Sequence, residues 1–179
     1  MILQHTLFEY NVADTGAALC REINASGGSG FNNTFKYNRA LTNGSALAWI
    51  NASRISIDTY TFIGNTAGNS GGAIYVGSKF DTRTTYPVTS FVVNNCSFID
   101  NFVANSNSTN YGVGHGAAIN VLNTTEIKID KSMFKGNVAY YGKGGAISFR
   151  DQSTSNIEAE KLGLPFYNAY INETIFENN

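Results

Sequence analysis

Charged side chains are scarce in this chain, and their scarcity excludes several classes of partner. Asp, Glu, Lys and Arg make up 14% of the 179 residues and give a formal net charge of -1. Proteins that bind nucleic acid or an anionic membrane carry a basic patch, which this composition does not provide. No apolar run approaches the roughly 18 residues of a membrane span, and the start, Met1-Ile2-Leu3-Gln4-His5, lacks the regions of a signal peptide. We therefore expect neither nucleic-acid binding nor membrane insertion.

Proline is also rare, and no helical pattern is sustained anywhere. The chain has 2 prolines against 18 glycines, together with many β-branched and aromatic residues, a composition that favours strands. Glycine or asparagine interrupts every stretch that could hold a period of about 3.6 residues. The sequence therefore predicts an all-β protein.

What the chain does contain is a repeat. The tetrapeptide Phe-x-x-Asn occurs six times, with phenylalanines 27, 27, 36, 36 and 42 residues apart. The six pairs are Phe8/Asn11, Phe35/Asn38, Phe62/Asn65, Phe98/Asn101, Phe134/Asn137 and Phe176/Asn179. Between several of them stands a small-residue block that ends in an aliphatic: Gly71–Ile74, Gly116–Ile119 and Gly144–Ile147. Self-similarity of this kind indicates a solenoid, which mainly supplies long, repetitive surface.

Residues on both sides of each motif alternate between apolar and polar, the pattern of a strand with one buried face. Pairs such as Ile55/Ile57 precede the phenylalanine, and the small-residue blocks lead into pairs such as Ile74/Val76. With Phe-x-x-Asn as a third short strand and its turn, each repeat makes one rung of a parallel β-helix. Rungs stacked about 4.8 Å apart would align the phenylalanines and let the asparagine amides hydrogen-bond along the axis as a structural ladder.

We therefore predict one solenoid domain over residues 1–179, with about five to six rungs and three short strands per rung. The longer spacings place insertion loops near residues 77–87, 105–114 and 151–164. The small-residue block suits a tight corner, where a large side chain would clash or φ must be positive. In the second rung Gly28 and Gly30 occupy the inward strand positions, so that strand is expected to be broken or looped out.

The two alternating motifs resemble the repeats of the polymorphic membrane proteins of chlamydiae and related repeats of some eukaryotic surface proteins. Phe62-Ile-Gly-Asn65 with Gly71–Ile74 matches both halves of that repeat, as does Phe134-Lys-Gly-Asn137 with Gly144–Ile147. The other four Phe-x-x-Asn motifs match the first half. The resemblance implies a right-handed parallel β-helix displayed at a surface, with adhesive or structural roles, and it supplies no catalytic residues.

Sequons for N-glycosylation are frequent. Eight occur, at Asn24, Asn32, Asn43, Asn51, Asn95, Asn107, Asn123 and Asn172, where chance would give about four in a chain so rich in Asn, Ser and Thr. None falls at a predicted core position. We expect a secreted, N-glycosylated eukaryotic protein, located outside the cell or at its surface.

Cys20 and Cys96 are the only cysteines, and the predicted stacking argues against a disulfide between them. They lie two to three rungs apart, on the order of 10–14 Å along the axis, whereas a disulfide needs Cα atoms within about 7 Å. Cys96 stands two residues before Phe98 and is expected to point inward as a small apolar residue. Cys20 then either remains a thiol or pairs with another chain.

Many β-helices degrade polysaccharides, a reaction that needs two carboxylates about 5–9.5 Å apart, or a metal. Four residues before successive phenylalanines stand Asp58, Asn94, Asp130 and Asn172. The two aspartates would therefore lie two rungs, roughly 10 Å, apart. His5 and His115 fall in different rungs and complete no metal-binding motif. We expect no catalytic residues, metal or cofactor, and hence no enzyme.

The chain begins within an inward-facing strand and stops in a turn, and neither end carries a polar cap. Uncapped terminal rungs expose apolar surface and unpaired backbone groups. We expect an extracellular structural protein whose open solenoid ends self-associate into a surface fibre or appendage. The alternative is a surface adhesin or carbohydrate-binding fragment of a longer protein, with a glycan or other cell-surface ligand; a polysaccharide-degrading enzyme comes third. A sugar-binding or subunit face would be lined by Tyr140, Tyr141, Tyr167 and Tyr170.

Overall fold

The computed structural model describes residues 2–22, 29–50, 54–77, 90–104, 114–122, 124, 126–150 and 168–179. Every regular element in these ranges is a β-strand, and the strands form four sheets. All strand pairings within the sheets are parallel, and each sheet takes one strand from each of the first five rungs. The prediction of an all-β parallel β-helix is confirmed.

The strands are numbered in chain order. Sheet 1 contains β1 (Ile2–Gln4), β5 (Ser29–Phe31), β9 (Arg54–Asp58), β13 (Ser90–Asn94), β17 (Glu126–Asp130) and β21 (Asn168–Asn172). Sheet 2 contains β2 (Leu7–Glu9), β6 (Thr34–Lys36), β10 (Thr61–Ile63), β14 (Ser97–Ile99), β18 (Met133–Lys135) and β22 (Ile175–Glu177).

Sheet 3 contains β3 (Val12–Ala13), β7 (Arg39–Ala40), β11 (Thr66–Ala67), β15 (Phe102–Ala104) and β19 (Val138–Tyr140). Sheet 4 contains β4 (Leu19–Glu22), β8 (Leu47–Ile50), β12 (Ile74–Gly77), β16 (Ile119–Leu122) and β20 (Ile147–Arg150). Five rungs therefore have four strands each, and the sixth consists of β21 and β22 within the described residues. At that end, sheets 1 and 2 reach one rung further than sheets 3 and 4.

Each complete rung has four strands, one more than the three predicted from the sequence. The residue two positions after each phenylalanine has a positive φ, for example 52° at Tyr37 and 63° at Gly136. This left-handed residue ends the strand that contains the phenylalanine, so a separate short strand such as β11 begins after the asparagine. Strands of two or three residues carry too little alternation for periodicity to separate them from a turn.

The core fills the space between the sheets and is built from the inward positions of the strands. Ile55 and Ile57 of β9 and Ile127 and Ile129 of β17 are at most 2% exposed, as their alternation predicts. A smaller cluster of Ala40, Ala67, Val103 and Ala117 includes inward residues of sheet 3. These side chains stack on their counterparts in neighbouring rungs, which makes one continuous interior.

The small-residue blocks form corners that lead into sheet 4. Gly71, Gly116 and Gly144 have φ values of 64°, 62° and 73°. A Cβ atom on Gly71 would also collide with the carbonyl oxygen of Ile74. The corner therefore needs glycine for both its backbone conformation and its space.

The expectation of a broken or looped-out strand in the second rung is wrong for Ser29–Phe31, which form β5 and pair with β9 at Phe31 and Asp58. Strand β5 pairs in register with β1, so that Gly30 lies beside Leu3. The space where a side chain of Gly30 would stand is occupied by the hydroxyl of Tyr60, from the next rung, and by the carbonyl oxygen of Leu3. Tyr60 is 2% exposed, so its ring supplies the bulk that the glycine lacks. Gly28 lies outside the described residues.

The predicted insertion loops near 77–87, 105–114 and 151–164 lie almost entirely outside the described ranges. Of them, Gly77 ends β12 and Gly114 precedes the corner at Gly116. The part of the chain that the structure describes contains no helix with the length and hydropathy of a membrane span.

Candidate functional site

A column of asparagine side chains runs along the solenoid at the corner between sheets 2 and 3. Asn65 shows the pattern: its Oδ1 accepts from the backbone N–H of Asn38 at 3.1 Å and from Asn38 Nδ2 at 2.9 Å. Its Nδ2 donates to Asn101 Oδ1 at 2.9 Å and to the Phe35 carbonyl at 3.0 Å. The side-chain link repeats in all five steps of the column. The four inner asparagines are at most 1% exposed, so the column satisfies amides that are costly to bury unpaired.

The two end members of this column are less buried than the inner four. Asn11 is half-buried and Asn179 is exposed, because in the described stack each has a neighbouring rung on one side only. Both side chains still join the column: Asn11 Nδ2 donates to Asn38 Oδ1 at 2.8 Å, and Asn179 Oδ1 accepts from Asn137 Nδ2 at 2.8 Å. All six asparagines of the repeat thus lie in the predicted ladder, and the two end members differ from the inner four in burial alone.

The phenylalanines form a second column beside the asparagines. Ring centroids in successive rungs are between 4.6 and 5.2 Å apart, and no pair of rings is tilted by more than 11°. The rings of Phe35, Phe62, Phe98 and Phe134 are fully buried, whereas Phe176 in the sixth rung is 47% exposed. The two columns fix the register of the rungs, because a slip of one residue would turn phenylalanine outward.

A third column, at the corner between sheets 1 and 2, was missed by the sequence analysis. In four of the five steps, the side chain two positions before a phenylalanine accepts a hydrogen bond from the backbone N–H of its counterpart in the preceding rung. Asn33 Oδ1 accepts from Thr6 at 2.9 Å, Cys96 Sγ from Tyr60 at 3.3 Å, and Ser132 Oγ from Cys96 at 3.1 Å. Small polar residues recur at this position (Thr6, Asn33, Ser132 and Thr174), and that recurrence is the signal that could have revealed the column.

Cys96 belongs to this third column and is buried, at 1% exposure, whereas Cys20 is exposed. No disulfide joins these two described residues. Burial raises the pKa of the Cys96 thiol from about 9 to about 12, against a lowering by the Tyr60 N–H, and the nearby Asp58 carboxylate adds to the rise. Because the folded-state pKa is the higher one, the thiol stabilises the fold fully below about pH 9, and this contribution is lost as pH rises towards 12.

A thiol reagent at pH 8 is therefore expected to label Cys20 in the native protein and both cysteines in denaturant. The raised pKa alone lowers the thiolate fraction of Cys96 about 1,000-fold, and burial slows its reaction further. Mass spectrometry of peptides from protein labelled before and after unfolding measures the two rates. Rapid native labelling of Cys96 would contradict its place in the column.

The outward aspartates of sheet 1 are each paired with an amide. Asn94 Nδ2 donates to Asp58 Oδ1 at 3.1 Å, and Asn172 Nδ2 donates to Asp130 Oδ1 at 2.9 Å. The register places Asn94 between the two aspartates, in line with Asp58 and Asp130. The carboxylates are thus held apart on separate rungs, an arrangement unlike the close pair of a glycosidase.

The histidines also lie apart. His5 is exposed, and its Nδ1 accepts from Asn32 Nδ2 at 2.8 Å. His115 is 3% exposed at the corner before Gly116, and its Nδ1 accepts from the backbone N–H of Lys143 at 3.3 Å. Among the described residues, no group of three His, Cys, Asp or Glu side chains could hold a metal ion.

Four of the eight sequon asparagines lie in the described ranges. Asn32, Asn95 and Asn172 are exposed and Asn43 is half-buried. The others, Asn24, Asn51, Asn107 and Asn123, lie outside the described residues. None of the four described side chains is part of the phenylalanine or asparagine columns.

The tyrosines proposed for a sugar-binding or subunit face do not share one surface. Tyr140 and Tyr141 are exposed at sheet 3, where their rings meet edge to face with centroids 4.4 Å apart. Tyr170 is exposed on sheet 1, with Lys128 Nζ 5.9 Å from its ring centroid. Tyr167 lies outside the described residues.

The first and sixth rungs form the two ends of the described stack, where one side of each column is uncovered. Inward residues there are partly open, and Ile171 is 48% exposed. The outer surfaces of the same rungs also carry large apolar side chains that are 54–69% exposed: Ile2, Leu7, Tyr170 and Ile175. In the same columns most inner rungs place serine or threonine (Ser29, Ser56, Thr34, Thr61 and Ser97), and the others place Val92, Lys128 and Met133.

Residues 59–77 match the model of the Chlamydia polymorphic membrane protein repeat. The matched segment runs from the corner at Thr59 through β10 and β11 to the end of β12, and it contains Phe62, Asn65 and the block at Gly71. The resemblance is thus confirmed in the third rung, and this repeat indicates a surface-exposed, β-helix type of protein. No curated protein and no solved structure matches the chain.

Proposed function

We propose that the chain is a non-enzymatic structural protein of the extracellular surface, N-glycosylated, which associates end to end with further copies of itself. The observation that carries this proposal is the regularity of the phenylalanine and asparagine columns up to both end rungs. A rung of the same kind that stacks on either end continues the backbone pairing, the ring stacking and the amide hydrogen bonds together.

The outer surfaces of the end rungs support the same arrangement. If β1 of one copy stacks on β21 of the next, Ile2 meets Tyr170 in its column. If β2 stacks on β22, Leu7 meets Ile175. Burial of these apolar side chains favours the contact by the hydrophobic effect, whereas the polar residues of inner rungs would gain little.

Charged residues at this junction are compatible with the contact. The column after phenylalanine would run Lys135, Glu177, then Glu9 and Lys36 of the next copy. Glu177 already forms a salt bridge with Lys135 at 2.9 Å, and Glu9 lies in register with Lys36. The repulsion between the two exposed glutamates is therefore offset by a neighbouring lysine on each copy and is small in water.

The junction has a defined geometry. If one copy contributes the six described strands of sheet 1, the axial repeat is about 29 Å. Stacking of β1 on β21 and of β2 on β22 places the contact in sheets 1 and 2. The association is heterologous and does not close, which predicts filaments rather than rings or dimers.

Leu7→Lys is expected to lower the end-to-end association constant at least tenfold. The substitution removes about 1.5–3 kcal/mol of apolar burial at the junction while its site is exposed in the single chain. Thr61→Lys is the matched control, because it lies in the same column within the third rung and should leave association unchanged. Sedimentation across a concentration series measures association, and electron microscopy measures the axial repeat.

A chain that stays monomeric at high concentration would contradict end-to-end association. The alternative function, a surface adhesin or carbohydrate-binding part of a longer protein, would then be preferred. The exposed pair Tyr140 and Tyr141 supports this alternative, since aromatic rings with open faces suit sugar contacts. Equal association of Leu7→Lys and the unmodified chain would reject the junction while leaving a surface role open.

A further inference from the structure

One edge of the solenoid carries an exposed side chain at every rung. At the corner between sheets 1 and 2, the residue three positions before each phenylalanine has a φ between 43° and 58°. These residues, called here the left-handed edge, are His5, Asn32, Thr59, Asn95, Lys131 and Glu173, and all six are exposed. Asparagine adopts this conformation more readily than most residues.

The backbone of the left-handed edge is fixed although its side chains point away from the core. The N–H of Asn32 donates to the Asp58 carbonyl at 3.2 Å, and that of Asn95 donates to the Asp130 carbonyl at 3.0 Å. A large group attached to either side chain therefore needs no rearrangement of the rung beneath it.

The sequon asparagines differ in their burial and in the hydrogen bonds that their side chains make. Asn95 makes no side-chain hydrogen bond to any described residue, and Asn32 donates only to His5 Nδ1. The sequon of Asn43 is different, because its Ser45 is fully buried and its hydroxyl donates to the Gly72 carbonyl. Asn43 itself is half-buried in a bridge to Ser70.

We propose that the left-handed edge is the glycan-bearing edge of the protein, with Asn95 as the main attachment residue and Asn32 as the second. The proposal rests on the N-glycosylation included in the proposed function. A glycan is bulky and hydrophilic, so a chain that carries one can fold only if the modified amide lies outside the core. Asn95 and Asn32 meet that condition and Asn43 does not; Asn172 is also exposed, but it lies on β21 with its Nδ2 bonded to Asp130.

The chemistry of attachment is compatible with both sites. Asn95 Nδ2 forms a bond to the anomeric carbon of the sugar and gives up one proton to the transferase. The bond between that carbon and the diphosphate of a lipid-linked oligosaccharide donor breaks, and the lipid diphosphate leaves. Nδ2 of Asn32 would keep one hydrogen after the same step, which is enough for its bond to His5.

The placement also predicts how the glycans are arranged. Thr59 lies between Asn32 and Asn95 on the left-handed edge, so the two glycans are two rungs, about 10 Å, apart. Both project sideways from the solenoid axis. They would hinder lateral association of solenoids and leave the first and sixth rungs accessible.

Two substitutions test the proposal: one removes a glycosylation site and the other adds one. Asn95→Gln should remove one glycan from protein secreted by a eukaryotic host, whereas the control Asn43→Gln should leave the number of glycans unchanged. Thr59→Asn should add one glycan, because Tyr60 and Thr61 complete a sequon on the same edge. Glycopeptide mass spectrometry gives occupancy, and thermal unfolding of the enzymatically deglycosylated proteins shows whether each variant is folded.

The outcomes separate this inference from the proposed function. A secreted protein without a glycan at any sequon would overturn N-glycosylation itself. Glycans at other sequons with Asn95 empty would overturn the assignment of the edge alone. A folded, secreted Thr59→Asn variant without its added glycan would also overturn that assignment, and a glycan gained there would support it.

Discussion

Asn65→Ala is expected to lower the free energy of unfolding by about 4 kcal/mol. The asparagine is fully buried, and its side chain makes four hydrogen bonds. Alanine would leave the Asn38 N–H, one Asn38 amide hydrogen and the Phe35 carbonyl without their partner. Each buried polar group left unsatisfied costs about 1–3 kcal/mol, and the removed side chain also leaves a cavity. Urea unfolding followed by circular dichroism measures the loss.

Asn94→Ala provides the matched control. Asn94 is the same residue type on the outer face of β13, where it is partly exposed and its side chain donates one bond, to Asp58 at 3.1 Å. Water can replace that bond, so the expected loss is below about 1 kcal/mol. Equal losses for the two variants would show that the asparagine column does not stabilise the fold beyond an ordinary surface contact.

The β-helix could be predicted from the sequence because equivalent positions in successive rungs carry the same residue. Phe62, Phe98 and Phe134 occupy one column, and the neighbouring asparagines occupy another. Stacking of identical side chains buries all of them at a fixed spacing. The spacing between successive phenylalanines varies from 27 to 42 residues, and their rings still stack in one column.

Burial at the ends of the asparagine column could not be predicted from the motif. Asn11 and Asn179 stand in the same tetrapeptide as Asn65, yet they are half-buried and exposed while Asn65 is fully buried. The difference depends on whether a rung covers both sides of the side chain, and the motif is identical in either case.

The sequence predicts the fold but not the number of strands per rung. The turn two residues after the phenylalanine uses Tyr37, Gly64, Asp100 and other residue types in one left-handed conformation. Because the backbone hydrogen bonds of neighbouring rungs hold that conformation, its sequence signal is weak. Periodicity therefore merged the strand before the turn with the short strand after it.

The candidate surfaces were predictable only in part. Sequons mark asparagines by sequence, but their exposure depends on the corner in which each lies, as the contrast between Asn95 and Asn43 shows. The apolar residues Leu7 and Ile175 stand at an outward position that serine or threonine occupies in most of the inner rungs. These two residues stand out only when the rungs are aligned and the end rungs are compared with the inner rungs.

Gly30 led to the wrong expectation of a broken strand, and Tyr60 explains why the strand forms. Two glycines at strand positions indicated a broken rung, because glycine offers no side chain for a core. The ring of Tyr60 reaches from the third rung into the space above Gly30, so the core is filled by a neighbour. Burial raises the pKa of Tyr60, against a lowering by the hydrogen bond with Asn33. The strand is intact because the missing volume is supplied from outside its own rung.

Gly30→Val is therefore expected to lower the free energy of unfolding by about 3 kcal/mol, because it overfills a packed interior. A Cβ at this site meets the Tyr60 hydroxyl and the Leu3 carbonyl oxygen, and only the first can be removed by a side-chain substitution. In a Tyr60→Phe background the cost of Gly30→Val should fall by about 1 kcal/mol, while the remaining clash with Leu3 keeps it positive.

Ser29→Val is the control for Gly30→Val, since Ser29 is exposed on the outer face of the same strand. Its expected effect is within about 0.5 kcal/mol. Chemical denaturation of the unmodified chain, the single variants and the double variant gives the coupling energy between residues 30 and 60. Additive effects would mean that Tyr60 does not occupy the space above Gly30. A cost of Gly30→Val that depends on the Tyr60 hydroxyl would establish that the second rung is packed by the third.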